Sequence, residues 1–172
     1  MYCPACGYDK NPPGADQCAH CGLALTQLDT PIVHGPVEAS LMNDPVAILK
    51  PRPPLTVPRT ATLGEAMSQM ITGQTGAVLI TGAAGELVGI LTERDFLTKI
   101  AGQPDYHTRP VSEFMTPQPE TVRPTDILAL ALSKMDAGGY RHLPVVDGDQ
   151  PVGMISVRDI LRHILTICPD GV

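Results

Sequence analysis

The 172-residue chain has no tryptophan and only two phenylalanines and four tyrosines. Aromatic platforms for stacking nucleic-acid bases are therefore scarce, and the core that a 43% hydrophobic composition allows must be aliphatic. Cations are outnumbered as well. Twelve Lys and Arg face eighteen Asp and Glu, for a net charge of -6, and no basic stripe compensates, which argues against sequence-independent binding to nucleic acid or anionic lipid. No apolar run approaches the roughly 18 residues of a membrane helix, and no signal-peptide pattern precedes Cys3. A cytoplasmic protein is expected. In that reducing compartment the five cysteines call for something other than disulfides. Catalytic equipment is also missing: no nucleophile has a paired base, and no glycine loop cradles phosphate. Gly82-Ala83-Ala84-Gly85 reads as a hairpin turn and Gly138-Gly139 as a helix end. His34, His107 and His163 have no partner that the sequence identifies. An enzyme is not expected.

What is present begins with the cysteines. In Cys3-Pro4-Ala5-Cys6-Gly7 and Cys18-Ala19-His20-Cys21-Gly22, eleven residues separate Cys6 from Cys18. Each Cys-x-x-Cys-Gly is a tight turn that directs two thiolates at one point, and two such turns complete a tetrahedral four-sulfur site. Residues 1–25 thus resemble a short zinc ribbon, with Cys3, Cys6, Cys18 and Cys21 as ligands of a structural zinc. A redox dithiol would sit at a helix start in a βαβ context, which is absent here. So short a segment cannot bury enough apolar surface to fold alone, so the metal supplies most of its folding energy. With four protein ligands no position is open for catalysis. His20 is expected to be an exposed loop residue, and Cys168 a buried core thiol.

Prolines 31, 36, 45, 51, 53 and 54 exclude one continuous helix or central strand over the next stretch. Residues 26–44 read as a linker, with a short helix around Val37 to Met42.

The rest of the chain is a duplication. Gly89-Ile90-Leu91-Thr92-Glu93-Arg94-Asp95-Phe96-Leu97 returns as Gly153-Met154-Ile155-Ser156-Val157-Arg158-Asp159-Ile160-Leu161. In both, an apolar run passes through a hydroxyl residue into an amphipathic helix. Upstream, Thr56-Val57, Thr60, Leu63, Ala66, Ser68 and Met70 match Thr121-Val122, Thr125, Leu128, Ala131, Ser133 and Met135. The offset is 65 residues there and 64 at the motif. Two long copies predict a tandem pair, since solenoids repeat a shorter unit more often.

Each copy is predicted as β-α-β-β-α. The first has a strand at Leu55-Thr56-Val57 and a capping box at Thr62-Leu63-Gly64-Glu65, opening a helix with Ala66, Met67, Met70 and Ile71 inward. Strands at 76–80 and 87–91 and a helix from Glu93 to Ile100 complete it. The second has strands at Glu120-Thr121-Val122, His142 to Val146 and Pro151 to Ile155. Its helices run from Asp126 to Met135 and from Val157 to about Ile167.

On these two motifs, on His142-Leu143-Pro144-Val145-Val146-Asp147, and on Phe114-Met115-Thr116-Pro117 at the start of the second copy, the chain resembles a pair of cystathionine-beta-synthase (CBS) domains, a Bateman module, behind the ribbon. The resemblance implies an α+β fold of two repeats, 45–107 and 108–168, packed about a pseudo-twofold axis. It also implies a homodimer and binding of an adenosine-type ligand, AMP, ADP, ATP, NAD or S-adenosylmethionine, to regulate a partner.

A physical case for a ligand stands beside it. A hydroxyl at a helix start, with free amides and the positive dipole end, suits a phosphate, and an Asp one turn on offers two acceptors to ribose hydroxyls. Thr92 with Asp95 and Ser156 with Asp159 have that spacing. The same spacing is a capping arrangement that binds nothing, so either motif alone leaves both readings open. Arg94 and Arg158 are placed to orient those carboxylates by ion pairs.

In the family each motif faces strand residues of the other repeat. A first site would then hold Ile90, Thr92, Arg94 and Asp95 against Thr121, Val122, Arg141, His142 and Pro144. A second would hold Met154, Ser156, Arg158 and Asp159 against Thr56, Val57, Gly76, Ala77 and Val78, where the facing positions carry no charge. The first is therefore expected to bind a phosphorylated adenosine more tightly. The function expected is a regulatory sensor; the alternative is a dimeric scaffold whose ribbon contacts a protein or nucleic acid and whose repeats hold no ligand.

Overall fold

The computed structural model describes residues 3, 5–12, 15–25 and 35–168, and the chain divides into two compact units between Gly35 and Pro36. Pro31, His34 and the rest of residues 26–34 of the expected linker lie outside the described residues.

The first unit is built on one turn used twice. The Cys3 amide donates to the Tyr8 carbonyl at 2.8 Å and the Gly7 amide to the Cys3 carbonyl at 2.9 Å. The Cys18 amide then donates to Leu23 at 2.8 Å and the Gly22 amide to Cys18 at 2.9 Å. Gly7 and Gly22 sit at φ 75° and 73°, the left-handed region that a side chain disfavours. An antiparallel bridge between Gln17 and Ala24 closes the second turn, and Cys3, Cys18 and Leu25 form a small buried core.

The second unit opens with α1 (Pro36–Asn43) and a 3-10 turn (Val46–Leu49). It continues through β1 (Thr56–Pro58), α2 (Leu63–Thr72), β2 (Ala77–Thr81) and β3 (Leu87–Thr92). Helix α3 (Glu93–Asp95) runs on as a π-helical turn (Phe96–Ile100). After two 3-10 turns come β4 (Thr116–Pro117), α4 (Leu128–Gly138), β5 (His142–Asp147), β6 (Gln150–Ser156) and α5 (Val157–Ile167). The expected α+β pair is the fold observed. Among the described residues no helix is long and apolar enough to cross a membrane.

Local chemistry explains most of these boundaries. Thr62 Oγ1 accepts from the Glu65 amide at 3.2 Å while Glu65 Oε2 accepts from the Thr62 amide at 2.7 Å, the two arms of the capping box that starts α2. Leu63, Ala66 and Met70 form the buried face of α2. Ile71, expected to face inward, lies beyond the edge of that stripe and is 71% exposed. Helix α4 starts two residues later than expected, because the Asp126 carboxylate accepts from the Arg123 amide at 2.8 Å in a turn ahead of it. It ends at Gly139, φ 63°. The strand expected at Glu120-Thr121-Val122 is a single parallel bridge from Val122 to Val145, since Pro119 and Pro124 on either side lack a ladder amide. Cys168 is half-buried at the end of α5 rather than a core thiol.

The sheets are completed by exchange. Strands β1, β2 and β3 of the first repeat are joined on the β3 edge by β4, which leads into the second repeat, with Gly89 opposite Pro117 and Ile90 opposite Thr116. In the second repeat β5 and β6 pair, and Arg52, from the segment leading into the first repeat, bridges Met154 on β6. The cores are exchanged in the same way. Val111 and Phe114 are buried with Leu63, Val78, Ile80 and Leu91, whereas Val46 is buried with Val122, Leu128, Leu143 and Ile155. Both crossings need glycine. A Cβ at Gly89 would come 2.5 Å from Met115 Sδ, and one at Gly153 would come 2.6 Å from Pro51 Cβ. The glycine that opens each copy of the repeated motif is the place where the other copy's leading segment passes.

This exchange makes Val46 a test residue. Val46→Ala removes two carbons from a fully buried site and is expected to cost about 2 kcal/mol. By hydrogen exchange the loss of protection is expected in α4, β5 and α5, with α2 and β2 spared; the reverse pattern would place Val46 in the core of its own repeat.

Candidate functional site

The four cysteines of the first unit converge. Their sulfurs all lie within 4.8 Å of one another, with Cys3 and Cys21 3.6 Å apart and Cys6 and Cys18 3.7 Å apart. A tetrahedron of sulfurs about 2.3 Å from a central zinc has edges of about 3.8 Å, whereas a disulfide would bring two of them to about 2.05 Å. The donor set and its spacing fit zinc. Burial alone would push the Cys18 thiol up, but the amides of Cys21 and His20, with Cys3 and Cys6, draw it down to about 6. At Cys6 the Tyr8 amide is outweighed by burial and the other three sulfurs, which push the thiol up to about 12, so the metal-free cluster shares its protons unevenly. His20 is exposed and stacks on Tyr8, centroids 5.6 Å apart, outside the sulfur cluster. Sequence reading missed Asn11. Only 2% exposed, it donates to the Tyr8 carbonyl at 3.3 Å and accepts from the Ala19 amide at 2.9 Å, tying one turn to the other. Nothing in the loop between the turns distinguishes it from the other polar residues there.

In the second unit the two hydroxyl–Asp motifs begin α3 and α5. Asp95 Oδ2 accepts from the Thr92 amide at 2.9 Å and from its hydroxyl at 2.7 Å. Asp159 Oδ2 accepts from the Ser156 amide at 2.8 Å and its hydroxyl at 2.6 Å. Capping is therefore one role of both motifs. The remaining oxygen of each Asp is paired further along the helix than expected: Lys99 Nζ lies 2.6 Å from Asp95 Oδ1 and Arg162 3.2 Å from Asp159 Oδ1. Arg94, instead of pairing with Asp95, reaches the Gly139 carbonyl at 3.5 Å, because its position one residue away turns it outward along the helix. Burial raises the Asp95 carboxyl, but Lys99 and the Thr92 donors outweigh it and hold it below the ordinary carboxylate value.

Each motif borders a cavity. The first, of 340 Å³, runs between Ile90, Thr92, Glu93, Arg94 and Asp95 on one side and Gly138 to Leu143 on the other, with Thr116 to Glu120 between. Six of the nine expected residues line it: Ile90, Thr92, Arg94, Asp95, Arg141 and His142. Thr121, Val122 and Pro144 do not; Val122 is 1% exposed in the second core and Pro144 is buried within β5.

The second cavity, of 600 Å³, is lined by Met154, Ser156, Arg158, Asp159 and Gly76 as expected. Thr56, Val57, Ala77 and Val78 lie outside it, Val57 and Val78 turned into the first core, Ala77 buried in the small cluster with Leu79 and Ile90, and Thr56 exposed on β1. In their place stand Arg52, Leu55, Glu93, Arg141, His142 and Arg162. The wall facing the second motif, expected to carry no charge, holds Arg52 and Glu93. Arg141 and His142 border both cavities, and Arg52 joins the second through its bridge to Met154. Arg52 was legible in principle, since Pro51-Arg52-Pro53 stands to Met154 as Met115-Thr116-Pro117 stands to Ile90. Burial lowers His142 below its ordinary value and Arg141 adds to this, partly offset by Glu93 and Asp159.

One histidine has a partner invisible in the sequence. His163 Nε2 lies 2.9 Å from Ser40 Oγ and 3.6 Å from an Asp44 carboxylate oxygen, joining α5 to α1. Hydroxyl and carboxylate share one ring nitrogen, which is not the relay of a nucleophilic serine, where they occupy opposite nitrogens.

Comparison with known proteins agrees with this geometry. The family pattern of the CBS domain matches twice, at residues 39–102 and 111–166. The CBS domain-containing protein CBSCBSPB5 of Arabidopsis thaliana is 41% identical over 108 residues, 62% of this chain and 20% of the plant protein, so the chain spans about one fifth of such relatives. A CBS domain protein of Pyrobaculum aerophilum, solved in complex with AMP, is 30% identical with a TM-score of 0.63, covering 71% of this chain and 98% of that one. A CBS-domain protein of Agrobacterium tumefaciens is also 30% identical, TM-score 0.62, covering 68% and 88%. With twin motifs, twin cavities and exchanged leading segments all accounted for, the chain belongs to the CBS domain family, as a tandem pair.

Proposed function

We propose that the pair is a regulatory module that binds an adenosine-type ligand, drawn from AMP, ADP, ATP, NAD and S-adenosylmethionine, and signals its presence to a partner protein. One observation carries this reading: each repeat sets a hydroxyl, a carboxylate and a helix start at the edge of a cavity walled by the other repeat. The Pyrobaculum aerophilum relative, matched over nearly its whole length, was solved with AMP bound. In the proposed complexes the second carboxylate oxygen of Asp95 or Asp159 receives ribose hydroxyls, and Ile90 or Met154 supplies apolar surface for the base. Arg141 and His142 approach the phosphate. Two such chains pair through their CBS repeats in the cytoplasm, and ligand binding shifts that geometry by a coupling of about 1–3 kcal/mol.

The reading extends to a structural zinc on Cys3, Cys6, Cys18 and Cys21, within a ribbon that gives the module a contact surface. Its role is to fix the two turns in place of a hydrophobic core. A second reading has one observation in its favour: both aspartates are already satisfied within their own helix starts. In it the pair is a dimeric scaffold, the ribbon meets a protein or nucleic acid, and the cavities hold nothing.

The readings separate in a thermal-shift series on zinc-loaded protein. AMP at one hundred times its dissociation constant is expected to raise the midpoint by about 5–11 °C. Asp95→Ala and Asp159→Ala should each remove one site's share of that rise; no rise with any of the five ligands would leave the scaffold. Protein purified without added metal is expected to carry about one zinc per chain, lost in Cys18→Ser; a metal-free wild-type chain with four titratable thiols would end the zinc assignment.

Binding should also depend on pH. His142, held below its ordinary value near 6.5, is neutral at pH 7 in the free protein. Its contribution to stability is therefore present above pH 6.5 and lost as pH falls through the depressed folded value. A phosphate beside it favours the charged ring, so AMP affinity is expected to rise as pH drops below 7, by up to about tenfold per unit of pKa gained. Calorimetry at several pH values checks this, and His142→Gln should flatten the profile.

A further inference from the structure

The two cavities differ in charge more than in plan. Two arginines, Arg94 and Arg141, face three carboxylates, Glu93, Asp95 and Glu120, around the first. Around the second, four arginines, Arg52, Arg141, Arg158 and Arg162, face only Glu93 and Asp159. The surplus has two sources. Arg52 occupies the position on β6 that Thr116 occupies on β3, each opposite the residue that follows the crossing glycine. The carboxylate's cation differs too: Lys99, which pairs with Asp95, also donates to the Phe114 carbonyl at 3.3 Å and stays out of the cavity, whereas Arg162, which pairs with Asp159, lines it.

Four exposed guanidinium groups about one hollow repel each other. A ligand with several negative charges relieves that repulsion, and the planar fork of Arg fits two phosphate oxygens at once. The first cavity suits such a ligand less: it has two arginines, of which Arg94 is drawn to the Gly139 carbonyl, and its Glu93 stands beside Asp95 and Glu120, whose charges are already paired with Lys99 and Lys134. Volume runs the same way, 600 Å³ against 340 Å³.

We infer that the second cavity is a polyphosphate site, selecting ligands with two or more linked phosphate groups through Arg52 and Arg162, while the first takes a ligand of low charge. The nucleoside half of that ligand rests on the adenosyl reading above; the anion half does not. Arg52 and Arg162 are specificity-determining residues, and the single exchange of Thr116 for Arg52 between equivalent positions sets much of the difference.

Calorimetry on the full zinc-loaded chain tests this with adenosine, AMP, ATP and inorganic tripolyphosphate. Arg52→Gln is expected to weaken ATP and tripolyphosphate about tenfold, the loss of one charge-assisted contact, and to change adenosine by less than about twofold. Thr116→Arg should create a second tripolyphosphate site. Circular dichroism melts establish that each variant is folded, and Arg52, being exposed, gives an informative variant even where Thr116→Arg does not fold. Tripolyphosphate bound equally well by the Arg52→Gln and Arg162→Gln proteins would overturn the proposal. If adenosine and AMP fail to bind while tripolyphosphate binds through Arg52, the adenosyl reading falls and the anion site stands.

Discussion

Gly89 and Gly153 leave room for Met115 and Pro51 where a Cβ would collide with their side chains, and the pair depends on that close approach. Met115 passes over the first glycine and Pro51 over the second. Because they pass, Thr116–Pro117 can join the edge of β3 and Arg52 can join β6. Because the segments continue in those directions, Val111 and Phe114 reach one core and Val46 the other. The cavities are a by-product of the same crossing. Each lies between a helix start of one repeat and the strand margin of its neighbour, with a leading segment along one side. Replacing either glycine would therefore disturb a sheet edge, a core and a cavity wall together.

The capping of the two aspartates does not decide between a ligand site and a plain helix start, and magnitudes explain why. One oxygen of each carboxylate is engaged by its own helix start. The other is held by Lys99 or Arg162, whose side chains are 45% and 64% exposed. Ion pairs of that exposure contribute about 0–1 kcal/mol, less than a pair of ribose hydroxyls donating to a carboxylate can offset. The cap can persist while the outer oxygen changes partner, so in the proposed complexes the same residue would serve the empty and the occupied state.

Much of this was legible because local chemistry and tertiary packing agree. The capping box at Thr62, the turn at Gly82 to Gly85, the helix end at Gly139 and the paired cysteines each carry a short-range signal that the fold leaves intact. What escaped has a common cause. Residues 45–54 are rich in proline and lack periodicity, so no element was legible there, yet they deliver Val46 to a core and Arg52 to a cavity. Asn11 and the Ser40–His163 contact, the latter spanning 123 positions, depend on meetings that no window of sequence contains. Ile71 failed for a different reason: an apolar residue just outside a helix stripe is indistinguishable from one just inside until the neighbours are known.

The exchange of leading segments also bears on the number of molecules needed to make one core. A polypeptide carrying a single copy would own a glycine with nothing to cross it and a leader with nowhere to go. It could complete itself only by lending its leader to a second molecule and borrowing one in return. Such a core would exist only above the concentration at which two chains meet. Covalent duplication replaces that concentration by the reach of a tether, so the present chain can close both halves at any dilution.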